Sequence, residues 1–99
     1  MDLKELTEAI VERVGEDTGL DATMKFDMGD YGAVFVDGNT SPMTIDNRTE
    51  EADCTISVAP DVMKKLLAGE LNPTMAFMGG KFKVAGDVSI ALKVSKWLS

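Results

Sequence analysis

Apolar positions recur along this chain with two periods, and the switches between them mark its elements. Leu3, Leu6, Ile10 and Val14 fall on one helical face. Asp2, with Glu5 three residues on, makes the capping-box pattern that starts a helix, and Gly15 suits its C-terminal cap. The spacing predicts a helix over about 3–14. "LDATMKFDM", 20–28, then alternates at every second residue. Leu20, Ala22, Met24, Phe26 and Met28 face one way, and Asp21, Thr23, Lys25 and Asp27 the other, which predicts a strand with one wet face. Gly29-Asp30 makes a turn, "YGAVFV" (31–36) returns as a strand, and "DGN" at Asp37 to Asn39 turns the chain again. "PMTID" (42–46) is a short third strand, Pro42 favouring an edge or a strand start. Three strands joined by short links read as an antiparallel meander.

A polar stretch, "RTEEAD", leads into "ADCTISV", where Ala52, Cys54, Ile56 and Val58 share one side of a fourth strand. Pro60 and Asp61 suit a helix N-terminus, with Val62, Met63, Leu66 and Leu67 as its apolar face and Gly69 at its end. Asn72-Pro73 repeats the start signal for a short helix that stops at Gly79-Gly80. "KFKVAG" is a last strand. Asp87 caps a final helix in which Ile90, Val94, Trp97 and Leu98 lie together, with Val88, Ala91 and Leu92 beside them. The layout is α+β: a single domain, 1–99, with a mainly antiparallel sheet of about five strands and helices packed on one face.

Composition narrows the function classes. The chain has 99 residues, 44% of them apolar, and a mean hydropathy near zero, as expected of a globular domain. No apolar run approaches the ~20 residues that span a bilayer. The N-terminus carries no signal-peptide apolar region, and the lone cysteine, Cys54, fits a reducing compartment; a cytoplasmic location is expected. Histidine is absent, which removes Ser-His-Asp and Cys-His mechanisms. The net charge of −7 argues against nucleic acid as a partner. Residues 1–53 hold 14 acidic and 4 basic side chains, whereas residues 54–99 hold 3 acidic and 6 basic ones. Such asymmetry can orient a molecule at an anionic surface, although uneven decoration is the plainer reading.

Most candidate chemistry dissolves on inspection. Gly79-Gly80-Lys81 lacks the preceding Gly and following Ser/Thr of a phosphate loop, since Met75 and Phe82 stand there. Asp27, Asp30, Asp37 and Asp46 have turn spacing, not calcium-loop spacing. Cys54 has no neighbouring cation to favour its thiolate and reads as a buried, inert thiol. An apolar set remains: Phe26, Met28, Phe35, Met63, Met75, Phe77, Met78, Phe82 and Trp97, all able to point to one side of the sheet or to the helices over it. By spacing alone such stripes are most often core. Seven methionines point the other way, because Met suits walls that adapt to varied ligands, and Gly79 and Gly80 leave a gap that could admit a chain. The candidate ligand-contacting set is completed by Met24, Leu67, Gly79, Val84 and Leu92. No cofactor or metal is expected.

Ala52 to Val94 resembles the sterol carrier protein 2 domain family. The marks are the strand A-D-C-T-I-S-V, a Leu-Leu helix ending at Gly69, Leu71-Asn72-Pro73, Ala76-Phe77-Met78, Gly80-Lys81, and Gly86-Asp87 opening the last helix. They occur in family order and spacing over nearly half the chain, and the N-terminal half agrees in layout. The resemblance implies a sheet of order 3-2-1-4-5 with helices on one face. It also implies an apolar tunnel between them for fatty acids, acyl-CoAs, sterols or phospholipids, and binding and transfer without covalent chemistry. Many members carry Gln just before the Gly-Lys; here Gly79 stands there, so no polar head contact carries over and a wider opening is implied. The chain's last residues, Lys96 to Ser99, are not the Ser-Lys-Leu peroxisomal ending of some members. Expected partners are a lipid, a transient membrane surface, and either a second copy or a biosynthetic enzyme. The alternative reading, also from family relatives, is a scaffold that holds a prenyl-quinone intermediate for such enzymes.

An empty tunnel of roughly 300 Å³ would cost about 7 kcal/mol at ~24 cal/mol per Å³. The interior is therefore expected to collapse, with Met side chains filling it, or to hold a ligand. The last helix, with its broad apolar face and lysines, is expected to be a movable lid that touches membrane.

Overall fold

The computed structural model describes residues 2–14, 20–40 and 43–98, with side chains through 96. The Gly15 cap and Pro42 lie outside the described residues, as does the Trp97 side chain.

Helix α1 spans Leu3–Val14, and the capping box forms: the Glu5 amide donates to Asp2 Oδ1 at 2.9 Å, while the Asp2 amide reaches Glu5 Oε1 at 3.5 Å. Strand β1 is Thr23–Asp27 and β2 is Ala33–Asp37, joined through a single 3-10 turn at Gly29–Tyr31. The alternation that begins at Leu20 enters the sheet only at Thr23, because Asp21 takes a left-handed backbone (φ +49°) that a strand cannot hold. Leu20 is nevertheless buried. Strands β3 (Thr44–Asp46) and β4 (Cys54–Val58), helices α2 (Pro60–Leu67) and α3 (Pro73–Met78), strand β5 (Phe82–Gly86) and helix α4 (Val88–Leu98) follow. The sheet runs β3-β2-β1-β4-β5. Only the central β1–β4 pair is parallel, Phe26 lying opposite Ile56; β1–β2, β2–β3 and β4–β5 are antiparallel.

Register divides the sheet into two faces. Met24, Phe26, Val34, Val36, Cys54, Ile56 and Val58 join Leu6, Ile10, Met63, Leu66, Ala76, Ile90 and Val94 in one core beneath the helices. Phe35 does not. It alternates with Val34 and Val36, pairs across with Lys25 and Asp46, and so lies on the opposite face, which removes it from any site beneath the helices. It is buried there by the β3–β4 link, which crosses this open face. The Arg48 guanidinium sits 4.5 Å from the Phe35 ring centroid and pairs with Asp46 at 2.9 Å. Lys25 Nζ donates to the Glu50 carbonyl at 3.1 Å, fastening the link to β1. Arg48 holds the Asp46 carboxyl below the usual carboxylate range.

Close backbone approach fixes the start of α4. The Asp87 amide donates to the Asp53 carbonyl at 2.9 Å, and at Gly86 (φ +91°) a Cβ would stand 2.3 Å from that same oxygen. Only glycine fits. Asp87 Oδ1 then accepts from the Ser89 amide at 2.9 Å and the Ser89 hydroxyl at 2.6 Å, a capping arrangement that holds the Asp87 carboxyl low.

Candidate apolar ligand site

Helix α3 is short and locally determined. Asn72 Oδ1 accepts from the Thr74 and Met75 amides, Pro73 stands at its first turn, and its C-terminus closes with Lys81 N–H to Ala76 O (2.8 Å) and Gly80 N–H to Phe77 O (3.1 Å). This is the Schellman pattern, with Gly80 at φ +72° as the left-handed residue. Only Pro73 and Ala76 of α3 are buried. The helix therefore lies against the sheet edge without closing it, and a crevice of about 120 Å³ remains between α3, β5 and α4.

Pro73, Thr74 and Phe77 form one wall of the crevice, Val88, Ala91, Leu92 and Ser95 the other, and Phe82 and Val84 the floor. The Phe77 and Phe82 rings meet at 5.5 Å between centroids, tilted by 38°. Behind them a recess of about 20 Å³ reaches Phe26, Ile56, Val58, Met63, Leu66 and Val94, and shares Pro73, Phe82, Ala91 and Ser95 with the crevice. Among the described residues, no charged side chain lines either space. The polar groups are the Thr74 hydroxyl and that of Ser95, which donates to the Leu92 carbonyl at 2.7 Å. At ~24 cal/mol per Å³ the recess costs only about 0.5 kcal/mol. The interior has collapsed around Met24 and Met63, both without exposed surface, so the through-going tunnel implied by resemblance is here a surface crevice with a shallow inner end.

Of the residues singled out by sequence, Phe26, Met63, Phe77, Phe82, Val84 and Leu92 are brought together here. Met24 and Met28 are buried in the core without lining the space, and Leu67 faces a separate groove between α1 and α2. Met75, Met78 and Gly79 are exposed at the outer surface of α3 and its end. Ile56, Val58, Leu66, Pro73, Thr74, Val88, Ala91, Val94 and Ser95, which the candidate set omits, also line these spaces. Val88, Ala91, Leu92 and Ser95 carry a legible signal, the i, i+3, i+4, i+7 stripe beside the Ile90–Val94 stripe that packs into the core.

Cys54 is fully buried on the helical face, and burial pushes its thiol pKa up, with Asp87 adding to the effect and the Ala91 amide opposing it. Among the described residues, no group of three or more His, Cys, Asp or Glu could hold a metal ion, and no helix is long and apolar enough to cross a membrane. The arrangement offers contact to an apolar body, with the Thr74 and Ser95 hydroxyls on the crevice walls.

Comparison with known proteins agrees with the geometry. The model of the SCP-2 sterol transfer family matches residues 3–99. The chain is 33% identical over 100 residues to hydroxysteroid dehydrogenase-like protein 2 of Bos taurus, covering 99% of this chain and 21% of that protein. It spans about a tenth to a fifth of the length of the curated relatives it matches. Among solved structures, sterol carrier protein 2 like 2 of Aedes aegypti aligns with a TM-score of 0.79 at 20% identity, over 95% of this chain and 94% of that one. Aedes aegypti sterol carrier protein 2 in complex with palmitate aligns with a TM-score of 0.74 at 18% identity, over 100% and 97%.

Proposed function

The chain belongs to the SCP-2 sterol transfer family, and we propose that it binds an apolar lipid, in the crevice between α3, β5 and α4, and carries it between membranes without covalent chemistry. The observation that carries this reading is the uncharged crevice that leads from exposed Phe77 and Leu92 inward to Phe26 and Met63. A long acyl chain needs more room than the crevice provides. Opening is assigned to α3, which is six residues long and ends at Gly79-Gly80, rather than to the eleven-residue α4. Each CH₂ removed from water contributes about 0.8 kcal/mol, so a dozen give roughly 10 kcal/mol before ordering costs, enough for micromolar binding without a charged contact. The palmitate complex of the Aedes aegypti protein supports a fatty acid as the first ligand to try.

Titration with a fluorescent fatty acid, beside native mass spectrometry of freshly purified protein, tests this. Ala91 borders both recess and crevice. Ala91→Phe should fill the space of about four methylenes and weaken binding at least roughly tenfold while the protein stays folded. Unchanged affinity in that variant would move the site elsewhere. Absence of bound lipid, and of any rise in Tm across fatty acids, sterols and phospholipids, would end the carrier reading.

A further inference from the structure

The two helices that flank the crevice leave large apolar side chains exposed. Met75 and Met78 are 71% and 80% exposed and do not line the crevice; Phe77, Val88 and Leu92 are also largely exposed at its rim. All five stand on α3 and α4, the two helices that flank the crevice. Large exposed side chains grouped in this way mark a contact surface.

Charge indicates which contact. Residues 71–99 hold four lysines, Lys81, Lys83, Lys93 and Lys96, and one acid, Asp87. Lys83 alternates with Phe82 and Val84 and belongs to the sheet's open face. Lys81 follows the end of α3, Lys93 follows Leu92, and Lys96 lies one helical turn from Leu92 on the outer side of α4. Asp87 accepts from the Ser89 amide and hydroxyl and lies near Lys93, whose charge it partly offsets. The acidic excess lies in residues 1–53, with 14 acidic and 4 basic side chains, whereas α2 holds Lys64 and Lys65 against Asp61. Helix α1, the other element with an exposed large apolar residue (Val11), carries Glu5, Glu8 and Glu12 against Lys4 and Arg13. An anionic surface would attract the α3–α4 face and repel α1.

We propose that the α3–α4 face docks the protein on an anionic lipid bilayer, with Met75, Met78, Phe77 and Leu92 entering the headgroup boundary and Lys81, Lys93 and Lys96 meeting acidic headgroups. The proposal rests on the lipid-carrier reading, because docking here sets the crevice mouth against the membrane and lets a lipid pass inward without crossing water. The exposed methionines are then the contact by which α3 is drawn outward as the crevice opens.

The test is vesicle co-sedimentation, with phosphatidylcholine alone and with added phosphatidylserine, on the parent and three variants. Met75→Gln/Met78→Gln keeps helix propensity and removes the apolar contact. Lys81→Gln/Lys93→Gln removes charge, and Val11→Gln alters the α1 surface. The parent should bind phosphatidylserine-containing vesicles, less so as salt rises. Each α3–α4 double variant should bind roughly tenfold more weakly, and Val11→Gln as the parent does. Fatty-acid uptake in vesicle-free solution should persist in both double variants, which separates docking from ligand binding. A parent that docks through this face yet takes up no fatty acid ends the carrier reading and leaves the docking face standing. The proposal is overturned by a parent that ignores phosphatidylserine, by loss of binding in Val11→Gln in place of the double variants, or by a parent dimer in sedimentation that Met75→Gln/Met78→Gln dissociates without any vesicle binding.

Discussion

Two sets of methionines put the same side chain to opposite use. Met24 and Met63 sit fully buried, one on the central strand and one on α2. Met75 and Met78 stand in water on α3. The first pair lies where the β1–β4 ladder and helices α1, α2 and α4 close over each other, so every apolar surface finds a partner. The second pair lies at the edge of the sheet, where β5 has a neighbour on one side only and a six-residue helix covers it. A small domain closes its centre before its margin, and here the margin is where an apolar crevice opens.

The contrast breaks first at the buried pair. Met24→Ala removes a fully buried side chain from the sheet centre and should cost about 2–5 kcal/mol in denaturant unfolding, whereas Met78→Ala should stay within about 0.5 kcal/mol. Equal losses would mean that Met78 packs inward in solution and that the rim is not open. Next in size is Gly80→Ala. It forces a Cβ into the left-handed region at the end of α3, where space is open but the backbone is strained, costing about 1–2 kcal/mol. A thermal melt should show Tm lower by several degrees, at about 4–8 °C per kcal/mol, with α3 amides exchanging faster than those of β1. An unchanged Tm would mean that α3 contributes nothing to global stability.

The smallest effect is acid sensitivity at α4. The Ser89 amide and hydroxyl stabilise the charged Asp87 carboxylate, so its folded pKa lies below its unfolded one. Its contribution is complete above about pH 4, the ordinary carboxylate range, and is lost as pH falls through the folded value. Asp87→Asn retains a capping oxygen. It should match the parent near neutrality and lose Tm less steeply below about pH 4. Asp46, also held low, preserves part of the slope in both proteins. Identical acid slopes would show that the cap does not persist in solution.

Much of the architecture was legible in short-range signals. The alternation of 20–28, the capping pattern at Asp2 and Glu5, Asn72-Pro73 and Asp87 each name an element, and each element appears, the strand shortened to Thr23–Asp27. The candidate site was legible in part. Its residue types and the Ala52–Val94 motif order pointed to apolar binding; Phe77, Phe82, Val84 and Leu92 do border the crevice, and Phe26 and Met63 the recess behind it. Phe35 misled because an aromatic on a strand reads as core from either face, and only the β3–β4 link, with Arg48 over the ring, shows which face covers it. Met75 and Met78 misled because helical spacing places a residue on a side of α3 without saying whether anything packs against that side.

The sequence by itself determined the elements, their order, the absence of histidine chemistry and the opposite charge of the two halves, because periodicity, caps and composition act within a few residues. Only the tertiary structure decided which apolar residues close a core, which line a crevice and which stand open around its mouth. That outcome depends on strand order and on the reach of a short helix at the sheet edge, which join residues such as Phe26, Phe82 and Ala91 that are far apart along the chain.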